Sequence, residues 1–323
     1  MKCSKCKKEA VFSNPNYCKE HFILYFEKKV KSTISKFRLF NKKDSIVVAA
    51  SGGKDSTVLL YLVQKFHGRV EALAIDEGIH GYRDKTLIDL KNFCRKHKIR
   101  LKIYSYKEEF GKSLDSILKK MDIIPCSICG TFRRYILNKK SRGYDKIATG
   151  HNTDDEAQSV IMNLLKNNTE LNARLGPRSG VVEDGLFVPR IKPLYFCTEK
   201  EVMAYSILMG FDISFNECPH VPESFRGQVR DALNAHEAEH PGTKLAIIQN
   251  FLAILPKLKK HYADIATKSK PLHECQICGE PTYGSMCKAC EYVAMLKSNI
   301  RQKISKKHGK NENLNTPLVQ VKT

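Results

Sequence analysis

The 323-residue chain contains no tryptophan, so stacking against a base falls to its Tyr, Phe, His or Arg residues. It also lacks any apolar run near the ~18–20 residues that span a bilayer, and no membrane partner is expected. The opening Met1–Lys8 carries no apolar segment, so a secretory leader is not expected and the cytoplasm is the expected compartment. Acidic residues are scarce: 34 Asp and Glu face 55 Lys and Arg, a net charge of +21. The excess is uneven, with 12 Lys or Arg against 3 Asp or Glu in residues 1–43. Such a balance points to a polyanionic partner, with a solvated lysine-rich surface as the plainer alternative. The chain is instead rich in cysteine, with 12 residues. In a reducing compartment, cysteines at C-x-x-C spacing read as ligands or redox thiols rather than disulfides. The length leaves room for one large α/β domain and small modules.

The most informative stretch is Ser45–Ser56. Ile46, Val47, Val48, Ala49 and Ala50 form a short apolar run, as in a parallel strand buried on both faces. Ser51, Gly52 and Gly53 break it, and helical spacing resumes over Thr57–Phe66. Strand, small-residue turn and helix bring backbone N–H groups and a helix N-terminus onto an anion. The glycines let the backbone approach a phosphate, and Lys54 adds a positive charge. Asp55 and Ser56 either cap the helix or, for Asp55, hold a magnesium ion beside the phosphates. The loop is not of the Walker A kind, because Asp55 follows Gly-Lys and the upstream spacing is wrong.

Around it, strands (Val70–Asp76, Leu101–Tyr106, Tyr144–Thr149, Phe187–Ile191) alternate with helices (Asp84–His97, Lys112–Met121, Thr131–Asn138, Thr153–Leu165). Repeated βα units imply a parallel sheet with helices on both faces and a ligand at the strands' C-terminal ends. The turns Glu77–Arg83 and Gly150–Glu156 suit a nucleotide pocket. Asp154 and Glu156 read as helix N-terminal charges, whereas Asp155 reads as a site residue. A helix is expected over Phe22–Phe40, a capping box at Thr198–Glu201 opening Val202–Met209, and further helices over Ser224–Ala238 and Thr243–Leu258. Cys3-x2-Cys6-x11-Cys18-x2-His21 has the spacing of a Cys3His zinc site, and Cys275-x2-Cys278-x8-Cys287-x2-Cys290 that of a zinc ribbon. The expected divisions are residues 1–22 (zinc module), 23–220 (nucleotide domain), 221–270 (helical extension), 271–292 (zinc ribbon) and 293–323 (basic tail, disordered beyond about Lys307).

Three cysteines remain in the middle. Cys126 and Cys129 stand three apart at a helix start, and Cys218 follows the last α/β helix, placed to fold back over the sheet rim. Three thiolates suit an iron–sulfur cluster with one iron open. A redox pair carrying a persulfide, or a buried free C-x-x-C, are the other readings. Cys94 and Cys197 read as buried small hydrophobes.

Ser51–Ser56 matches the SGGxDS signature of PP-loop ATP pyrophosphatases. Together with Pro125-Cys126-x2-Cys129, the distant Cys218 and both cysteine-rich ends, the chain resembles the tRNA 2-thiouridine synthetases of the TtuA/NcsA type over residues 1 to about 292. The related 2-thiocytidine enzymes typically lack both zinc modules; another PP-loop ligase or amidotransferase is the alternative outside tRNA thiolation. The resemblance implies ATP held by the backbone at Ala50 and Ile75, by Ser51–Ser56, by Gly150 and by Arg133, a position that can be Lys in relatives. It implies Mg²⁺ on Asp55 and Asp155, a 4Fe–4S cluster on Cys126, Cys129 and Cys218, and two Zn²⁺ in end modules that grip tRNA. Adenylation of a uridine C2 oxygen would expel pyrophosphate, and sulfur would then displace AMP. Lys54 and Arg133 would neutralise the phosphates. The implied sulfur donor is a ubiquitin-like thiocarboxylate protein or free sulfide, and the implied assembly is a homodimer.

Overall fold

The computed structural model describes residues 1–181, 185–214, 216–222, 224–268 and 272–298. Five strands, β1 (Ile46–Ala49), β2 (Glu71–Asp76), β3 (Arg100–Ser105), β4 (Lys146–Thr149) and β5 (Arg190–Ile191), form one sheet. They run parallel in the order β3-β2-β1-β4-β5. The chain steps outward from β1 to β3 and then crosses back to β4. The switch point therefore lies between the C-terminal ends of β1 and β4, where a doubly wound sheet takes its ligand.

Alternation along the strands assigns each face its helices. Ile46, Val48, Ala72 and Ala74 share one core with residues of α1 (Lys19–Lys36), α2 (Lys54–His67), α3 (Arg83–Lys96) and α9 (Glu199–Leu208). Val47, Leu73, Ile75 and Ile147 share the other with α6 (Pro125–Lys140) and with α12 (Lys288–Lys297) of the C-terminal ribbon. Short helices α4 (Tyr106–Phe110), α5 (Leu114–Leu118) and α8 (Thr169–Ala173) fill the connections. α10 (Phe225–Glu239) and α11 (Thr243–Lys268) lie against α7 (Thr153–Leu165), with Phe251 and Leu255 packed on Val160.

Both end modules are docked. Phe12 of the N-terminal module meets Phe22 of α1 with ring centroids 4.4 Å apart, and the Lys200 ammonium lies over Phe12. The ribbon's hairpin, β6 (His273–Glu274) with β7 (Pro281–Thr282), leads into α12. Its buried Glu280 accepts from Asn138 Nδ2 at 2.7 Å and pairs with Arg142 at 2.6 Å. The helix that presents Cys126 and Cys129 therefore also carries the ribbon.

Several boundaries differ from expectation. α6 begins at Pro125, not Thr131, because proline at the first helical position needs no N–H partner. The helix expected over Lys112–Met121 is present but shorter, as α5 capped by Ser113, and a separate α4 ends ahead of it at left-handed Gly111. The last strand is two residues long rather than five. α1 runs from Lys19 to Lys36, and α11 continues past Pro256 to Lys268. The capping box at Thr198 and Glu201 is present. The expected disorder beyond Lys307 concerns residues outside those described. Among the described residues no helix is long and apolar enough to cross a membrane.

Candidate active site at the switch point

The Ala50 amide donates to Leu73 O at 2.9 Å, continuing the pairing of β1, and the chain then turns through Ser51–Gly53. Gly52 takes φ +84°, and Gly53 stands at the N-cap of α2 without a side-chain cap. Neither Asp55 nor Ser56 caps the helix. Ser56 instead laces the loop: its Oγ accepts from Ser51 N and donates to Gly53 O, both at 3.0 Å. The first-turn amides of α2 have no intrahelical partners, which is the arrangement that receives a phosphate.

The Lys54 ammonium lies 3.1 Å from Asp55 and 2.8 Å from Glu199. Burial works against its charge, but these two carboxylates outweigh it and raise its pKa. Asp55 also accepts from Asn152 Nδ2 at 2.9 Å. Asn152 in turn shares a capping box with Asp155, whose other oxygen faces Arg226 at 3.2 Å. Burial pushes both carboxyls above the usual range; Lys54 opposes this at Asp55 and Arg226 at Asp155. The charge of Asp155 is itself felt at Asp55. Two neighbouring carboxylates beside a phosphate loop are hard oxygen ligands of the kind Mg²⁺ takes. Gly150 serves packing: a Cβ there would stand 2.9 Å from the Asp55 carbonyl carbon, so the β4 turn sits directly on the start of α2.

Sequence reasoning did not single out Arg83. It is buried, and its Nε donates to Ile75 O at 2.8 Å while Nη1 reaches Ser51 O and Thr86 Oγ1. It pairs with Glu77 at 2.9 Å, and Glu77 pairs with Arg133 at 2.7 Å. Arg133 Nη2 then lies 3.6 Å from Cys129 Sγ. Arg133 thus stands between the nucleotide strands and the cysteines. Asp154 and Glu156 prove more than helix-terminal charges. Asp154 joins Lys244 of α11 to the Glu199 amide of α9, and Glu156 pairs with buried Lys192 at 2.7 Å.

Cys126 and Cys129 occupy the opening turns of α6. Cys126 Sγ lies 4.0 Å from His220 O, so the segment after α9 does return over the rim. Cys218 packs with Cys129 at the edge of the α6 core, and burial, reinforced by Cys129 and Cys126, raises its thiol. Tyr106 Oη donates to Cys129 O at 2.7 Å and lies 3.6 Å from its sulfur. Three thiols converge without being gathered as closely as the single-ion sets at the ends. Three such ligands, more widely set, fit an iron–sulfur cluster with one open iron. Cys94 and Cys197 are buried, 2% and 0% exposed, as expected.

The ligand atoms of Cys3, Cys6, Cys18 and His21 lie within 4.8 Å of one another, as do those of Cys275, Cys278, Cys287 and Cys290. Both sets have the donor chemistry of a structural zinc site. At the first cysteine of each, burial opposes the thiolate but backbone N–H groups outweigh it. Those of Cys18, Lys5 and Cys6 bring Cys3 down to about 6, and those of Cys287, Ile277 and Cys278 bring Cys275 to about 6.

A PP-loop domain model matches residues 24–237. The tRNA-5-methyluridine(54) 2-sulfurtransferase of Pyrococcus horikoshii is 38% identical over 311 residues, covering 94% of this chain and 97% of that protein. The tRNA 2-thiolation protein NcsA of Haloferax volcanii is 32% identical, covering 92% and 100%. Among solved structures, the U34-tRNA thiolase NcsA of Methanococcus maripaludis, with its [4Fe-4S] cluster, superposes with a TM-score of 0.77 at 34% identity, covering 92% of this chain and 96% of its own. Agreement of this extent, together with the loop and the cysteine pattern, shows that the chain belongs to the PP-loop family, in the branch of the tRNA 2-thiolation proteins.

Proposed function

We propose that this chain is an ATP-dependent tRNA-uridine 2-sulfurtransferase that adenylates a uridine C2 oxygen and replaces it with sulfur. The observation that carries this reading is one series of contacts, Ser51 O–Arg83–Glu77–Arg133–Cys129, which runs from the phosphate loop to the cysteines. An enzyme that only adenylates has no use for that second end.

The uridine oxygen is a poor leaving group until it carries AMP. The first-turn amides of α2 and Lys54 stabilise charge on the phosphates as pyrophosphate departs. Asp55 and Asp155, aligned through Asn152, would hold Mg²⁺ against the same phosphates. Arg133 supplies positive charge on the cysteine side, where AMP must leave. Cys126, Cys129 and Cys218 would hold the 4Fe–4S cluster, whose open iron would supply a place for the incoming sulfur. The C2–S bond then forms as the C2–O bond breaks, and the electron pair leaves with AMP. Sulfur arrives as sulfide or from a carrier's thiocarboxylate. The two end modules would each hold Zn²⁺ and, with the lysines of residues 1–43, grip the tRNA. Reducing conditions suit these thiols and the cytoplasm.

The test is anaerobic reconstitution with iron and sulfide, followed by incubation with tRNA, Mg-ATP and sulfide. The expected products are 2-thiouridine, AMP and pyrophosphate in equal amounts, with mass spectrometry locating the uridine. Formation of 2-thiocytidine, or AMP release coupled instead to an acid and ammonia, would overturn the reading.

A further inference from the structure

Lys54 does not wait for phosphate with an idle charge. Its ammonium lies 2.8 Å from Glu199 Oε1, contributed from 145 residues further along the chain. Two features of Glu199 bear on this contact. Its backbone is fixed, because its amide donates to Asp154 Oδ2 at 2.7 Å, and Asp154 is locked to Lys244. Its side chain is 44% exposed, whereas that of Lys54 is only 16% exposed. An anchored residue with a half-exposed carboxylate makes an ion pair that is cheap to break and quick to re-form.

We propose that Glu199 is the resident counter-ion of Lys54: it holds the lysine in the nucleotide-free enzyme and is displaced by the phosphates of ATP. This rests on the nucleotide reading of the loop given above. Asp55 satisfies part of the Lys54 charge at 3.1 Å, but it is also held by Asn152, so Glu199 is the partner free to leave. When pyrophosphate departs, the carboxylate swings back and lowers the affinity of the empty site for it. Glu199 is a positioning residue, acting on nucleotide through Lys54.

The measurement is equilibrium binding of Mg²⁺ and α,β-methylene-ATP, without tRNA or sulfur. Glu199→Gln is expected to tighten the nucleotide about three- to fivefold, with an unchanged melting midpoint. Glu199→Asp, one methylene short of Lys54, is expected to tighten it by a smaller factor. In a Lys54→Met background the Gln substitution should change affinity by less than about twofold. Weaker binding by the Gln variant would overturn the proposal and make Glu199 part of the cation or nucleotide grip. Equal tightening in the Lys54→Met background would also overturn it, showing direct repulsion of phosphate. Unchanged affinity would overturn it too. A chain that binds no adenine nucleotide overturns both this and the thiolase reading, whereas the expected pattern without sulfur transfer overturns the thiolase reading alone.

Discussion

The two glycines of the phosphate loop separate two roles that a loop glycine can have, and substitution by alanine tells them apart. A Cβ on Gly52 would stand 2.1 Å from the Thr86 carbonyl oxygen and 2.9 Å from its carbon. Both are backbone atoms of α3 and cannot rotate aside. The residue also sits at φ +84°. The left-handed conformation costs about 1–2 kcal/mol and the overlap about 1–3 kcal/mol more, so Gly52→Ala should lose roughly 2–5 kcal/mol. At about 2–4 °C per kcal/mol the melting midpoint falls by roughly 4–20 °C. Gly53 differs. Its φ is −78°, and a Cβ would meet only Ser51 Oγ at 3.5 Å. Gly53→Ala should cost at most about 1 kcal/mol, the alanine penalty at an N-cap. Its new methyl instead occupies the space a phosphate enters, so ATP affinity should fall about tenfold or more. Calorimetry and nucleotide binding on both variants make the comparison. The reasoning fails if Gly52→Ala melts like the parent, or if Gly53→Ala binds ATP at full affinity.

Further outcomes follow from the same geometry. Cys126→Ala, Cys129→Ala and Cys218→Ala should each lose the absorbance near 400 nm of the anaerobic protein and its thiolation activity while still binding ATP; full activity with native iron content in any one would refute the cluster assignment. Metal analysis should find one zinc for each of the two four-ligand end sets, and iron in the C-terminal ribbon would refute that assignment. Neutralising Lys5, Lys7 and Lys8 together should weaken tRNA binding and flatten its salt dependence, because each phosphate contact releases counterions. Lys54→Ala should do the reverse, slowing adenylation about 10²–10³-fold with tRNA affinity kept. A triple lysine variant with unchanged salt slope would show that the N-terminal charge is only solvated.

What could be read from the sequence was local. The phosphate loop stood out because an apolar run of five residues, Ile46–Ala50, ends abruptly in Ser-Gly-Gly. The zinc sets stood out because ligand spacing within a short knuckle is fixed by the ion's own geometry. The capping box at Thr198 was legible for the same reason, since both of its hydrogen bonds close within four residues. Two helix ends were missed although their punctuation is equally local: Pro125 starts α6, and Gly111 with Ser113 separates α4 from α5.

The charged network was not legible, because its partners are distant in sequence. Glu199, Arg83, Glu77, Asp154 and Lys244 are each unremarkable in their own segments. They meet because parallel connections of one hand return every βα turn to the same edge of the sheet. That shared edge is also what makes the chemistry possible. In the proposed reading the turn after β1 would take the phosphate; Glu77, in the turn after β2, and Arg83, at the start of α3, fasten Ser51 and Ile75 to Arg133. The first turns of α6 place Cys129 against that same arginine. A phosphate loop alone would activate an oxygen and leave it to water. Fastened through two arginines and a buried glutamate to a cysteine-lined rim, the loop would, under the proposed function, hold the activated oxygen where sulfur can displace it.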